Sequence, residues 1–184
     1  MTDGKAKGDR FENEVCRALS VWLVPGDWQK AHVFTLPFRR RFTDVTPLDG
    51  HWAGQGDILH KPGIKFPFCV ECKKHEGWEF DGMLGNDKWP PWSWWTQAKA
   101  QALTANMIPL MFFTRNRRKV YVLMEEEIQK WLRVEPHSGP VLAISQSNGA
   151  SLALALMDDL VRVQRTRISA LSSRRERSRN TSRT

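Results

Sequence analysis

One apolar run that ends in charged residues constrains this chain more than any other segment. Residues 66–74 read Phe-Pro-Phe-Cys-Val-Glu-Cys-Lys-Lys, a length and composition typical of a buried strand. Because side chains alternate along a strand, Glu71 and Lys73 point to one face, and Val70 and Cys72 point to the other. The sequence therefore predicts a carboxylate and an ammonium side by side on one surface of a sheet.

A second carboxylate precedes this strand. Asp57 opens a short apolar run, and a Lys-Pro-Gly turn at 61–63 separates that run from the strand that carries Glu71. If the two runs form a hairpin, the Asp57 carboxylate converges on Glu71. Two hard oxygen donors suit Mg²⁺ or Mn²⁺, and the neighbouring Lys73 ammonium can orient a water or stabilise charge on a phosphate. The alternative is an exposed hairpin with solvated charges.

This pattern resembles the PD-(D/E)XK nuclease superfamily, with Gly56-Asp57 followed by Glu71-x-Lys73. The resemblance implies a metal site made by Asp57, Glu71 and the backbone carbonyl of Cys72. It also implies that Lys73 acts on the attacking water, and that the products carry 5′-phosphate and 3′-hydroxyl ends.

The N-terminal segment adds to the resemblance. Apolar residues recur at helical spacing and predict a helix over about 9–23, with Asp9 as its cap. Archaeal-type Holliday junction resolvases are similar here, since they have a Lys-Gly pair, as at 7–8, and a glutamate four residues past the glycine. This resemblance implies that Glu12 reaches the metal site from the first helix. Glu14, about 200° round the helix, is the alternative.

A helix and two strands follow the charged strand. Residues 95–106 are rich in good helix formers, and apolar runs of strand length occupy 107–115 and 120–124. Many members of the superfamily carry a glutamine on the corresponding helix. Gln97 matches it, with Gln101 as the alternative, and either amide can hydrogen-bond a phosphate or a water at the metal site.

These elements predict an α/β (α+β) fold, with a central mixed β-sheet flanked by helices, a restriction-endonuclease-like core, and a C-terminal helix and basic tail. We assign the nuclease core to 1–135, with a first strand at 31–36. We assign a helical extension to 136–172, dominated by a final helix at about 150–171. Residues 173–184 are rich in serine and arginine and predict a disordered tail.

The positive charge is concentrated at the C-terminus. Residues 161–184 contain eight arginines and one acidic residue, whereas the rest of the chain holds 20 basic and 19 acidic residues. Such an arginine-rich segment can neutralise DNA phosphates, or it can simply keep the protein soluble. An Arg triplet in the long loop before Asp57 can also contact the DNA backbone, or it can be an exposed turn. The candidate DNA-binding residues are Arg39, Arg40, Arg41, Lys74, Arg165, Arg167, Arg174 and Arg175.

Tryptophan and cysteine are also distributed unevenly. Five of the nine tryptophans lie within 78–95. They either stack on unpaired bases or fill the core, and we favour the core for most of them. Three cysteines do not make a disulfide framework. Zinc is disfavoured because Cys69 and Cys72 point to opposite faces of one strand, so we expect both to be small apolar residues.

The resemblance implies a Mg²⁺- or Mn²⁺-dependent DNA endonuclease that resolves Holliday junctions or other branched DNA. Two symmetric cuts imply a homodimer, and the small size and divergent tail favour a phage-encoded protein. The alternatives are a RecB-like or restriction-like nuclease that acts on ends or flaps, and a non-catalytic DNA-binding protein on a nuclease fold. No apolar run is long enough to span a membrane, and the N-terminus lacks the apolar segment of a signal peptide. We therefore expect a cytoplasmic protein, located in the bacterial host if the chain is phage-encoded.

Overall fold

A five-stranded mixed sheet lies at the centre of the protein. The structure is a computed structural model that describes residues 3–41, 52–83, 88–145 and 149–181. The strands are β1 Phe38–Arg40, β2 Ile58–His60, β3 Phe68–Lys74, β4 Ile108–Thr114, β5 Tyr121–Glu125, β6 Leu142–Ser145 and β7 Ser151–Leu156. The helices are α1 Asp3–Leu23, α2 Pro90–Thr104, α3 Glu126–Leu132, α4 Met157–Leu160 and α5 Arg165–Thr181, with single 3₁₀ turns at Val33–Thr35 and Phe80–Met83.

The order of strands in the central sheet is β3-β4-β5-β7-β6. β3 and β4 are parallel, with Glu71 opposite Met111, and the other pairs are antiparallel. A parallel pair needs a crossover connection, which α2 provides. This confirms the predicted fold class, a mixed sheet flanked by helices. β1 and β2 form a separate two-stranded antiparallel ladder.

The two faces of the sheet are covered by different elements. α1 packs Phe11, Val15 and Leu19 into one core cluster, together with Val70 and Cys72 of β3. The second cluster is rich in tryptophan and lies on the other face. Because neighbouring β3 residues face opposite sides, Glu71 and Lys73 point away from the α1 core, as the sequence predicts. The residues of the second cluster are Trp78, Trp89, Trp95, Ala98, Met111, Phe113, Leu123, Ile144, Leu152 and Leu154.

Two predictions near the N-terminus are wrong. α1 begins at Asp3, so Asp9 is not a cap but a residue inside the helix, where it pairs with Arg40 at 3.0 Å. The strand predicted at 31–36 is largely the 3₁₀ turn Val33–Thr35, and the nearest strand is β1. The first error concerns the start of a helix. The second concerns the type of element, because a short apolar run does not by itself specify a strand.

The helix predicted over 150–171 is also wrong. Residues Ser151–Leu156 form β7, which lies between β5 and β6 in the central sheet. The region 136–172 therefore contributes strands to the sheet, and the helices among its described residues are α4 and the start of α5. α5 continues to Thr181, so residues 173–181 are helical where we expected disorder, and 182–184 lie outside the described residues. None of the described helices has the length and apolar character needed to cross a bilayer.

Candidate active site

Asp57 is held against the edge of β3 by backbone contacts. Gly56 forms a parallel bridge to Val70, and the Asp57 N–H donates to the Val70 carbonyl at 2.7 Å. The Asp57 Oδ2 atom accepts a hydrogen bond from the Cys72 N–H, also at 2.7 Å. The predicted hairpin is wrong, because β2 pairs with β1 and the 56–57 segment meets β3 in parallel. The predicted convergence of Asp57 on β3 occurs all the same.

Gly56 makes this approach possible, and sequence reasoning gave it no such role. Its φ is +86°, and a Cβ at this position would lie 2.2 Å from the Val70 carbonyl oxygen. Only a glycine fits so close to another backbone at a positive φ. The run Gly54-Gln55-Gly56 before the aspartate is the sequence signal for it.

Glu71 lies at the centre of a short polar network. Its side chain is 2% exposed, and Oε1 contacts the Lys73 Nζ atom at 2.5 Å. Gln97 on α2 donates from Nε2 to the same oxygen at 2.9 Å. The second oxygen, Oε2, is buried and has no hydrogen-bond partner among the described residues. A buried carboxylate oxygen with no donor is costly unless something else binds it.

The Cys72 carbonyl also belongs to this edge. The Val70 carbonyl and the Cys72 N–H both face the 56–57 segment. Because the N–H and C=O of a strand residue point to the same side, the Cys72 carbonyl lies on the Asp57 side of β3 as well. Two carboxylates and one carbonyl are therefore presented on one edge, and all three are hard oxygen donors of the kind that Mg²⁺ and Mn²⁺ take.

The electrostatics of Asp57 indicate an excess of negative charge. Its pKa is raised to about 6, first by burial and then by the charge of Glu71. The Cys72 N–H, Lys73 and Arg41 lower the pKa in part but do not cancel the rise. A divalent cation would supply the missing compensation, so the donor set fits such an ion.

Glu12 approaches the same region from α1. Its side chain is half-buried, and its pKa is raised to about 7 by burial, then by the charge of Asp57, with Arg40 opposing the rise. Glu14 is exposed. However, no three His, Cys, Asp or Glu side chains in the described ranges are grouped closely enough to bind a metal ion on their own. The charges of Asp57 and Glu71 therefore act on Glu12, but the three carboxylates do not form a cluster tight enough to bind a metal ion by themselves.

Residues 3–169 match the model of a family described as "Phage putative PDDEXK endonuclease". The chain belongs to this family. The match spans most of the chain and covers α1, β3 and α2, the elements that bring the candidate residues together. Neither the curated proteins nor the solved structures contain a significant match.

Membership in this endonuclease family supports the PD-(D/E)XK resemblance and implies a DNA substrate. Asp57 contacts the strand that carries Glu71 and Lys73, since its Oδ2 atom accepts from the Cys72 N–H.

The Arg triplet before Asp57 lies beside the site. Arg40 pairs with Asp9, the Arg39 guanidinium lies 4.2 Å from the centre of the Trp52 ring, and Arg41 donates from Nη2 to Gln55 Oε1 at 2.8 Å. Arg41 is exposed and flanks a cavity that contains Asp57. A role in DNA binding remains a prediction for all three arginines.

The other basic candidates are more scattered. Arg165 donates to the Trp22 carbonyl, and Arg167 donates to the Trp131 carbonyl, so both guanidinium groups help to hold α5 against the core. Lys74 is half-buried at the end of β3, and Arg174 is exposed. The side chain of Arg175 lies outside the described part of the chain.

The tryptophans of 78–95 belong to the core, as we favoured. Trp78, Trp89 and Trp95 are buried, and Trp92 and Trp94 pack against the same cluster from its margin. The cysteine prediction is confirmed as well, because Cys69 and Cys72 are free and buried, as is the third cysteine, Cys16.

Proposed function

We propose that this chain is a metal-dependent DNA endonuclease whose reaction takes place at the edge of β3. Asp57, Glu71 and the Cys72 carbonyl would hold Mg²⁺ or Mn²⁺, and Glu12 would contribute from α1. The observation that carries this proposal is the Glu71 Oε2 atom, which is buried without a partner among the described residues. The charge of Glu71 also helps to raise the pKa of Asp57. An ion bound there would polarise the scissile phosphate and lower the pKa of the attacking water.

The protein side chains have separate roles in this proposal. The Lys73 ammonium orients the attacking water and stabilises negative charge that develops on the phosphate. Gln97 holds Glu71 Oε1 in place, which leaves Oε2 for the ion. Hydrolysis then leaves 5′-phosphate and 3′-hydroxyl ends, as the family resemblance implies.

We propose branched DNA, and in particular the four-way Holliday junction, as the substrate. The support is the arrangement of a Lys-Gly pair at 7–8 followed by Glu12 on α1, together with the raised pKa that links Glu12 to Asp57. Resolution of a junction requires two symmetric nicks, so we propose a homodimer. The exposed Arg174 and the rest of the arginine-rich segment would contact the DNA backbone in the host cytoplasm.

A cleavage assay on matched substrates tests this proposal. Purified protein is incubated with a synthetic four-way junction, a 5′-flap and a linear duplex, with and without Mg²⁺. We expect paired nicks on opposing strands of the junction that depend on Mg²⁺ and are absent for Asp57→Asn. Loss of DNA ends with the junction left intact would indicate a RecB-like nuclease instead. Binding without any cleavage would indicate a non-catalytic DNA-binding protein.

A further inference from the structure

A polar groove leads away from the candidate site along the second half of α2. One cavity of about 420 Å³ opens beside Asp57, and Arg41, Gln55 and Gln101 line it. A second cavity of about 580 Å³ shares Gln55 with the first and continues towards Asn106. Each volume lies in the range of roughly 300–1,000 Å³ that ligand pockets occupy.

Two glutamines on one face of α2 connect this groove to the candidate catalytic residues. Gln97 and Gln101 are four residues apart, so they lie on the same face of α2 about 6 Å apart along its axis. Gln97 reaches Glu71, whereas Gln101 lines the cavity that contains Asp57. Thr104, one turn further on, lines the same cavity. The groove therefore begins where the scissile phosphate would lie.

The chemistry of the groove favours a nucleobase over a phosphate. Gln55 uses its oxygen to accept from Arg41, which leaves its NH₂ group as a donor for another molecule. The Gln101 amide offers both a donor and an acceptor. The groove also passes the carboxyl end of α2, where the partial negative charge of the helix disfavours a phosphate. Positive charge is provided beside Asp57 by Arg41 and in the second cavity by Lys65, and both side chains are exposed.

We propose that this groove holds the nucleotides next to the scissile phosphate, and that Gln101 and Gln55 hydrogen-bond to the edges of their bases. The inference rests on the proposed endonuclease function and adds to it a pair of residues that select the base next to the cut. Arg41 lies beside Asp57 and is hydrogen-bonded to Gln55, so a cation for the phosphate and an amide for the base are adjacent in the groove. Cleavage then depends on the identity of the base beside the cut, because an amide pairs well with only some of the base edges.

Binding measurements with abasic DNA test this inference. In the Glu71→Gln background, fluorescence anisotropy gives the affinity for a four-way junction in which one nucleotide at a time is replaced by an abasic one. We expect one or two neighbouring abasic positions to weaken binding about three- to tenfold, the range of one lost hydrogen bond. Adding Gln101→Ala should remove that difference, so that intact and abasic DNA bind equally.

Two further variants make the result decisive. Gln55→Ala should remove the effect at the same or the adjacent position. Gln29→Ala should retain the full effect, since Gln29 is exposed and lines a cavity that shares no residue with the groove. The inference is overturned if, at every position, the fold-loss of affinity from Gln101→Ala and the fold-loss from the abasic nucleotide multiply, as independent effects do. It is also overturned if no abasic position weakens binding.

The outcome for the groove can be separated from the outcome for catalysis. If the wild-type protein nicks the junction with Mg²⁺ but Gln101→Ala shows no coupling to any base, the groove inference fails alone. If the coupling is present but the wild-type protein never cleaves, the catalytic proposal fails and the groove stands as a DNA-binding site.

Discussion

Gln97 on α2 donates a hydrogen bond from Nε2 to Glu71 Oε1 on β3, across 2.9 Å. The bond joins the crossover helix to the strand that carries the motif, and Lys73 contacts the same oxygen. Both donors on Oε1 leave Oε2 without a partner among the described residues. The orientation of Glu71 thus depends on a residue 26 positions away in the sequence.

Removal of the Gln97 amide should weaken catalysis without unfolding the protein. Gln97 is exposed, so Gln97→Ala creates no cavity, but Glu71 loses one of its two donors. We expect a loss of about 10- to 100-fold in cleavage rate or in apparent Mg²⁺ affinity, the range for residues that orient metal ligands. Steady-state cleavage over a Mg²⁺ titration measures both. Lys99→Ala, an exposed change on α2, is the control. Equal activity of the two variants would contradict this role for Gln97.

The Gly56 position tolerates no side chain. In Gly56→Ala the new Cβ would overlap the Val70 carbonyl at 2.2 Å, so the 56–57 segment must leave the edge of β3. We expect loss of cleavage and a decrease of about 2 kcal/mol or more in the free energy of unfolding. Gly63→Ala is a matched control, because Gly63 has a φ of +87° but nothing within 4 Å of its Cβ position.

Denaturant unfolding and cleavage assays compare these two glycine variants. Gly63→Ala should cost only about 1 kcal/mol, the price of a positive φ, and should keep its activity. Similar behaviour of the two variants would show that the close approach of Gly56 to Val70 is unimportant.

The raised carboxyl pKa values predict how stability changes with pH in the absence of metal. The pKa of Glu12 rises from 4.5 to about 7, and that of Asp57 from 3.8 to about 6. Between those limits these two carboxyl groups bind more protons in the folded protein than in the unfolded chain, so their contribution to stability falls as pH rises from about 4 to about 7. Burial lowers the pKa of His60, which gives a contribution of the opposite sign. Glu12→Gln removes part of this effect and should melt at a higher temperature than the wild type at pH 8.

Thermal melts in a chelating buffer at several pH values, followed by the same melts with Mg²⁺, measure this effect. Added Mg²⁺ should raise the melting temperature more at pH 8 than at pH 5, because protons compete with the ion for the carboxylates. If the wild type loses no stability relative to Glu12→Gln between pH 5 and pH 8 without metal, the assigned electrostatics are contradicted.

The tryptophan-rich segment should behave as core and not as a DNA-binding surface. Trp95 is 1% exposed and packs with Trp78 and Trp89 against the α2 face of the sheet. Trp95→Ala should lower the free energy of unfolding by about 3–5 kcal/mol, whereas Trp95→Phe should cost far less. Trp95→Phe should bind DNA with unchanged affinity. Weaker DNA binding at unchanged stability would instead indicate stacking on bases.

Much of the site could be predicted from sequence, because the motif lies on a strand whose alternation is unambiguous. Glu71 and Lys73 share a face for the simple reason that they are two residues apart. The family resemblance placed Gln97 on the following helix but assigned its amide to a phosphate or a water, so its hydrogen bond to Glu71 was not predicted. Asp57 was paired with the wrong partner strand, because a parallel bridge through a glycine leaves no local pattern.

The C-terminal part of the sheet could not be predicted for a different reason. Ser151–Leu156 is an almost continuous apolar run, buried from Leu152 to Leu156. A strand that is buried on both faces loses its alternation, so its spacing also fits a helix. Only pairing with β5 and β6, which lies in the tertiary structure, decides between the two.

The central claim, that Glu71 helps to hold a catalytic divalent ion, is tested most directly by a Mg²⁺ titration of junction cleavage. Wild type and Glu71→Gln are freed of metal, and their melting temperatures and DNA affinities are shown to be similar. We predict that the wild-type rate rises from background to a plateau as Mg²⁺ is added, while Glu71→Gln stays at background throughout. Cleavage by the wild type without any divalent ion, or a full rate from Glu71→Gln, would contradict the claim.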